Sequence, residues 1–256
     1  LGALPLREGE VESLSALDLR DPLRLHKQGT KNTEQNYRQM KEPADQSGVC
    51  IFSTALFPPV EYFVWLVEAQ EVWIEAAENF NKQSYRNRLI INTGNGPLSM
   101  VVPVKRFHHQ KTPITSVGVD YATPWPDQLW RAIYAAYKNT PYFLYYQDEI
   151  QAFIYAHHDS LFQMNMKAMD MVKEFLTLDV NCRQTDVFEK SYEHAKDLRY
   201  CIHPKRAVTK QIVPYLQPFS DRFEFNPRVS VLDLLFMQGP EGLLTLTESA
   251  RRDTQS

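Results

Sequence analysis

The sequence has few cysteines and no long apolar run. Its three cysteines, Cys50, Cys182 and Cys201, are odd in number and far apart, without C-x-x-C or zinc-ligand spacing. This pattern predicts three reduced, buried thiols and a cytoplasmic protein. No run reaches the roughly 18 apolar residues that predict a membrane span, and the N-terminus lacks the basic-then-apolar pattern of a signal peptide. We therefore expect no membrane insertion.

Several kinds of catalytic or binding motif are also missing. There is no G-x-S-x-G nucleophile motif. The adjacent pair His108-His109 is flanked by Lys105, Arg106 and Lys111, whose charges disfavour a metal ion. A formal charge of -3 and a pI near 6.2 provide no overall attraction to nucleic acid. We expect no metal, no cofactor and no nucleic-acid partner.

One interval lacks acidic residues altogether. From Asn79 to Val119 there is no Asp or Glu in a chain whose overall charge is negative. The same interval contains six cationic residues: Lys82, Arg86, Arg88, Lys105, Arg106 and Lys111. Converging cations attract phosphate or carboxylate groups. The alternative is a solvated basic face that is balanced by the acids Glu71, Glu75 and Glu78.

The centre of this interval has the pattern of a β-hairpin. Two apolar runs, Leu89–Ile91 and Leu98–Val104, flank the turn sequence T-G-N-G-P. We predict positive φ angles at Gly94 and Gly96, where other residues would be strained. The hairpin would bring the two cationic flanks, 82–88 and 105–111, toward the same end of the sheet.

This arrangement predicts the binding site. Arg88 alternates into the first hairpin strand and is the best candidate for a fixed, bidentate contact with an anion. We expect Lys82 and Asn87 to help hold that anion, and Asn87 and Asn92 to offer neutral hydrogen bonds to a sugar. The expected partner is an anionic small molecule such as a sugar nucleotide, a phosphate or an acyl donor.

The first half of the chain predicts an α/β fold with a mixed sheet of about five strands. Strand 50–57, helix 59–69 and strand 71–76 form a βαβ unit with parallel strands. The hairpin follows this unit, and 114–119 is predicted to be a further strand. The loop after the first strand lies where open α/β sheets favour ligand binding.

The second half is predicted to be mostly helical. Helices are expected from residue 124, over 141–156 and after Asp159-Ser160, whereas 180–225 has no assignment. Ser230 and Asp233 have the spacing of a capping box that starts a last helix. We predict one domain over 46–244, preceded by a disordered extension over 1–45 and followed by a polar tail over 245–256. Met40 is the expected natural start of the protein.

Five stretches resemble the WbqC-like family of bacterial proteins. The first three are FPPVEYFVWL from Phe57, EVWIEAAENFNKQSYRNR from Glu71 and NGPLSMVVPVK from Asn95. The others are PWPDQLWRAIYAAYKNTPYF, which ends at Phe143, and NPRVSVLDLLFMQGPE, which ends at Glu241. The most specific elements are K-x-x-x-x-N-R at 82–88 and S-x-L-D-L-L-F at 230–236.

The resemblance implies a transferase or accessory enzyme of surface-polysaccharide (O-antigen) or sugar-nucleotide biosynthesis. The alternative is a non-enzymatic binding or scaffold protein of the same pathway. The chain departs from the family pattern at two points. Many relatives have a His-Gln-Pro element where this chain has Thr54–Pro58, and a histidine where it has Leu129. No catalytic residue is therefore transferred from the family.

Overall fold

A computed structural model of the chain describes residues 48–106, 111–192 and 194–253. The predicted extension over 1–45, the proposed start at Met40 and the pair His108-His109 lie outside these ranges.

A parallel sheet forms the first layer. Strand β1 (Val49–Ser53), helix α1 (Val60–Glu68) and strand β2 (Glu71–Glu75) form the predicted βαβ unit, and β1 pairs with β2 in parallel from Val49↔Glu71 to Ser53↔Glu75. Two short strands, β5 (Cys182–Gln184) and β6 (Lys196–Asp197), add parallel pairs at the two edges. The order is β5-β2-β1-β6. The α/β class and the βαβ opening are confirmed.

The order of the strands creates a switch point. The chain leaves β1 toward β2 on one side, and β6 returns on the other side of β1. The carboxyl ends of β1 and β6 therefore flank the crevice where open parallel sheets bind ligands. The residues that follow these two strands, Thr54 and Leu198–Arg199, lie at this edge.

The predicted hairpin is present as a separate two-stranded sheet. Strands β3 (Arg88–Thr93) and β4 (Gly96–Val101) are antiparallel, with Thr93 opposite Gly96 at the tip. Gly96 has a φ of +99°, as predicted, whereas Gly94 is not at positive φ, so that part of the prediction is wrong. The left-handed position therefore falls on Gly96, the residue at which the chain enters β4 opposite Thr93.

The strand predicted over 114–119 is not formed. Residues Ile114–Ser116 form a 3-10 helix, and single bridges follow at Val104–Val119 and Gly118–Ser160. The backbone here bonds to two different neighbours, because Gly118 O accepts from Lys105 N while Val117 O accepts from Leu161 N. A continuous ladder needs one partner strand, so the described strands divide into a four-stranded parallel sheet and the hairpin.

The second half is helical, as predicted. Its helices are α2 (Trp125–Tyr137), α3 (Phe143–Tyr155), α4 (Leu161–Phe175), α5 (Val231–Gln238), a 3-10 turn (Gly239–Glu241) and α6 (Gly242–Asp253). Ser160 caps α4, since its Oγ accepts a hydrogen bond from Gln163 N at 3.4 Å.

The described part of the predicted polar tail, residues 245–253, lies in helix α6, which packs against α1. Leu243 and Leu246 are fully buried, three residues apart on one helix face. Ser249 lies on the same side and is also fully buried; its Oγ donates to Thr245 O and accepts from Val213 N. Small polar residues can be buried when they bond to the backbone. The polar composition of this segment therefore did not indicate a packed helix.

Candidate functional site

A buried ion pair joins the carboxyl ends of three strands. Glu75 ends β2 and has no exposed surface. Its Oε2 accepts from Arg199 Nη1 at 2.7 Å, and its Oε1 accepts from Thr185 Oγ1 at 2.5 Å. Arg199 also donates from Nε to Asp197 Oδ1 at 2.9 Å and from Nη2 to Asp197 Oδ2 at 2.6 Å. Two carboxylates neutralise this guanidinium, so it links the sheet ends and has no charge left for a ligand.

A second buried ion pair lies beside the first. Arg86 Nε donates to Glu78 Oε1 at 2.8 Å, and Arg86 Nη2 bonds to Glu78 Oε2. Ser53, the last residue of β1, places its Oγ 3.2 Å from Glu78 Oε2 and 2.9 Å from the carbonyl oxygen of Arg199. Burial raises the pKa of Glu78, and the hydrogen bonds from Arg86 oppose that rise. Arg86 therefore belongs to the fold of this edge.

Among the buried polar atoms of the described residues that have no hydrogen-bond partner, two lie next to the end of β1 and at the start of β3. They are Thr54 Oγ1, directly after β1, and Arg88 Nε, at the start of β3. A cavity of about 10 Å³ is lined by Thr54, Arg86 and Arg199. It has room for about one water molecule, because a water needs roughly 10–15 Å³. Unpaired buried polar atoms are uncommon and often mark a functional position.

Cations from two parts of the chain surround a histidine. Burial lowers the pKa of His203, and the charges of Arg206, Arg86, Lys205 and Arg88 lower it further. Lys205 Nζ also donates to Gln83 Oε1 at 2.5 Å, which links the loop before β3 to the segment after β6. We call Arg86, Arg88, His203, Lys205 and Arg206 the basic cluster.

Sequence reasoning missed three of the five residues of this cluster. The segment 203–206 had no assignment, and only its own run of basic residues could have indicated it. Of the predicted residues, Lys82 is exposed in the loop before β3. Asn87 is buried and donates from Nδ2 to Val102 O at 2.8 Å, so its amide supports the hairpin. On the other flank, Lys105 lies against Gly118.

Asn92 lies at the other end of β3. It faces the same side as Arg88, because side chains two and four positions apart share a strand face. Four residues of strand separate the two by about 13 Å. Asn92 lines a different cavity of about 190 Å³, together with Tyr215 and Gln217. Arg88 and Asn92 are therefore too far apart to bind the same phosphate group.

Asp233 is buried and does not complete the predicted capping box. Ser230 does cap α5, because its Oγ accepts from Leu232 N at 3.3 Å. The reciprocal bond is missing, since Ser230 N donates to Ile90 O. Asp233 accepts from the Tyr215 hydroxyl at 2.9 Å and from the Tyr137 hydroxyl at 3.1 Å. Burial raises the pKa of Asp233 to about 7, against the effect of these hydrogen bonds.

The thiols do not favour nucleophilic chemistry. Cys50, Cys182 and Cys201 are all unpaired; Cys50 is buried as predicted, whereas Cys182 and Cys201 are only partly buried, so the prediction is wrong for these two. Burial raises the pKa of Cys50 to about 11 and also raises the pKa of Cys182. Within the described ranges no three His, Cys, Asp or Glu side chains are placed to hold a metal ion. No helix in the same ranges is long and apolar enough to cross a membrane.

The chain was compared with known families, curated proteins and solved structures. A model of the WbqC-like protein family matches residues 54–210, which is more than half of the chain. The matched region contains both buried ion pairs and the whole basic cluster. No curated protein and no solved structure matches the chain.

Proposed function

The chain belongs to the WbqC-like protein family, and we propose that it binds the anionic group of a small-molecule substrate at the basic cluster. The reaction would be a group transfer, or an accessory step, in surface-polysaccharide or sugar-nucleotide biosynthesis. The suitable substrates are a sugar nucleotide, a phosphate or an acyl donor. Three unpaired cysteines suit a reduced, cytoplasmic setting.

The main support for the proposal is the environment of Arg88. Arg88 is half-buried, its Nε has no hydrogen-bond partner, and it lies with Arg86, Lys205 and Arg206 in the surroundings of His203. Among the described residues, no carboxylate lies within ion-pair distance of Arg88, Lys205 or Arg206. A buried donor without a partner costs about 1–3 kcal/mol. A bound oxyanion would supply the partner and offset the clustered charge.

The chemistry of the cluster suits phosphate or carboxylate. A guanidinium binds either group through two parallel N–H donors. The Nδ1 of His203 accepts from Lys205 N at 3.2 Å, so the proton of the neutral ring is on Nε2. His203 would then donate one neutral hydrogen bond to the substrate without adding another positive charge. A neutral imidazole donor can stabilise charge that develops on a substrate oxygen.

The alternative is a binding or scaffold protein without catalysis. The observation that favours it is the cavity beside Thr54 and Arg86, which has only about 10 Å³. A catalytic site would need a larger space than this cavity offers. Turnover of a bound donor in the presence of acceptor sugars distinguishes the two functions.

A ligand screen tests the proposal. Thermal shift and isothermal titration would compare UDP-sugars, acyl-CoA and orthophosphate with uncharged analogues that lack phosphate. We expect only the anionic compounds to raise the melting temperature, and we expect their affinity to fall as salt rises from 50 to 500 mM. Equal binding of charged and uncharged analogues, or binding that salt does not change, would contradict the proposal.

A further inference from the structure

A second cavity lies beside the far end of β3. It has a volume of about 190 Å³, and we call it the loop pocket. Its lining residues are Asn92, Tyr215, Gln217, Pro218, Ser220, Phe223, Glu224 and Phe225. Drug-sized ligands occupy pockets of roughly 300–1,000 Å³, so this one has space for about one ring.

The walls of the loop pocket are held by their own hydrogen bonds. Gln217 Oε1 accepts from Asn226 N at 2.8 Å, and Gln217 Nε2 donates to Asn226 O at 3.1 Å. This side chain closes the loop 217–226 as a backbone pair would. Tyr215 bonds to the buried Asp233 and packs edge-on against Phe225, with ring centroids 5.3 Å apart. The pocket is therefore largely pre-formed.

One polar side chain in the pocket has unused hydrogen-bonding capacity. Asn92 is only 7% exposed, and its side-chain amide makes no hydrogen bond with any described residue. An amide has two donors and one acceptor. The polar atoms of this amide are not among the fully buried atoms that lack a partner, so they are open to solvent and a ligand in the pocket can reach them. Asn87 donates its amide to Val102 O, and Gln217 uses both its nitrogen and its oxygen, so Asn92 differs from these two amides.

The charge of the pocket differs from that of the basic cluster. Glu224 is the one charged side chain among the residues that line it, and no Lys or Arg is included. A phosphate would be repelled there, whereas hydroxyl groups can donate to the carboxylate. Phe223 is 39% exposed, so part of its ring is open to a ligand. An apolar ring face beside a planar amide and a carboxylate suits a molecule with C–H groups on one face and hydroxyls at its edge.

We propose that the loop pocket binds a single uncharged sugar ring, whose hydroxyls bond to Asn92 and Glu224 and whose face packs on Phe223. This site shares no residue with the basic cluster, so it stands apart from the anion-binding function. A nucleoside base is the other flat ring of similar size, and the test separates it from a sugar.

Saturation-transfer NMR with methyl glycosides as probes tests the site. The panel would contain the methyl glycosides of glucose, galactose, mannose and N-acetylglucosamine, with uridine and adenosine in parallel. We expect at least one glycoside to receive saturation from the protein. Asn92→Ala and Phe223→Ala should each weaken its binding at least about tenfold. Asn95→Ala, an exposed amide on the same hairpin that does not line the pocket, should bind as the parent does.

The outcomes are distinct. No glycoside signal in the parent, unchanged binding in both variants, or Asn92-dependent binding of a nucleoside would each overturn the sugar site. If Asn92→Ala does not fold, Phe223→Ala tests the site instead, because the partly exposed ring of Phe223 is not part of the core. Arg88→Ala should remove phosphate binding and leave the glycoside signal intact. Failure of phosphate binding alone would therefore count against the proposed function and not against this site.

Discussion

At the scale of single residues, Asp233 makes stability depend on pH. Burial raises the pKa of Asp233 in the folded chain to about 7, from 3.8 when unfolded. The folded state therefore binds the proton more tightly. The stability from this group is fully present below about pH 4 and is lost as the pH rises through 7. For one group the slope reaches at most about 1.4 kcal/mol per pH unit.

Urea unfolding between pH 5 and pH 8 measures this dependence. The parent should lose stability across that window, and Asp233→Asn should lose less, because an amide has no proton to release. Other titrating groups are common to both proteins, so the difference between their profiles isolates Asp233. Identical pH profiles for parent and variant would show that Asp233 does not hold its proton in the fold.

Residue identity also decides which cation is available to a ligand. Sequence reasoning selected Arg88 from the acid-free interval, and the structure leaves its Nε unpaired. The alternative interpretation named Glu78 among the acids that balance the basic interval, but it did not say which cation Glu78 would pair with. Arg86 and Arg88 have the same charge, and only the folded edge distinguishes them. Sequence reasoning grouped Asn92 with Arg88 because it did not consider the distance between the two residues along strand β3. His203, Lys205 and Arg206 were missed, because their position near Arg88 depends on where β6 joins the sheet.

At the scale of elements, the sequence pattern predicted the strands and helices that depend mainly on interactions between residues close in sequence. The βαβ unit, the hairpin and helices α2 to α4 follow from apolar periodicity and from turn and cap residues. Strands β5 and β6 have three and two residues, mostly polar, and exist because β2 and β1 offer free edges. No pattern in such short segments reveals a pairing that the rest of the sheet creates.

The hairpin tip provides a prediction for one element. Gly96 has a φ of +99°, and an added Cβ would meet only Phe223 at 3.8 Å, so the cost of a side chain is conformational. Gly96→Ala should destabilise the chain by about 1 kcal/mol. Gly94→Ala is the matched control, because Gly94 is not at positive φ and its Cβ would make ordinary contact with Phe219 at 3.6 Å. Equal melting temperatures for the two variants would reject the strained geometry at Gly96.

At the scale of the whole molecule, buried ion pairs tie the parallel sheet to the loop that precedes the hairpin. The Glu78 and Arg86 side chains are 1% and 3% exposed. Removing one partner of such a pair leaves a buried charge and costs roughly 3–5 kcal/mol. Glu78→Gln should therefore destabilise the entire chain in a denaturant titration.

A surface pair provides the control for that experiment. Glu248 and Arg252 are 58% and 44% exposed on α6, four residues apart. Pairs of this kind contribute about 0.3–0.5 kcal/mol. Glu248→Gln should leave the unfolding midpoint almost unchanged. A loss from Glu78→Gln no larger than that from Glu248→Gln would mean that the edge network does not stabilise the fold.

The affinity of Arg88 variants for an anionic ligand tests whether the basic cluster binds the substrate. Titration calorimetry would use the tightest phosphate-containing ligand of the screen with the parent, Arg88→Lys and Arg88→Ala. Arg222→Lys is the control, since Arg222 lies at the hairpin tip and its Nη1 donates to Gly94 O at 3.4 Å. Lysine keeps the charge but loses the two-donor fork, so Arg88→Lys should bind at least about tenfold more weakly and Arg222→Lys like the parent. If both Arg88 variants bind as tightly as the parent, the basic cluster is not the substrate site.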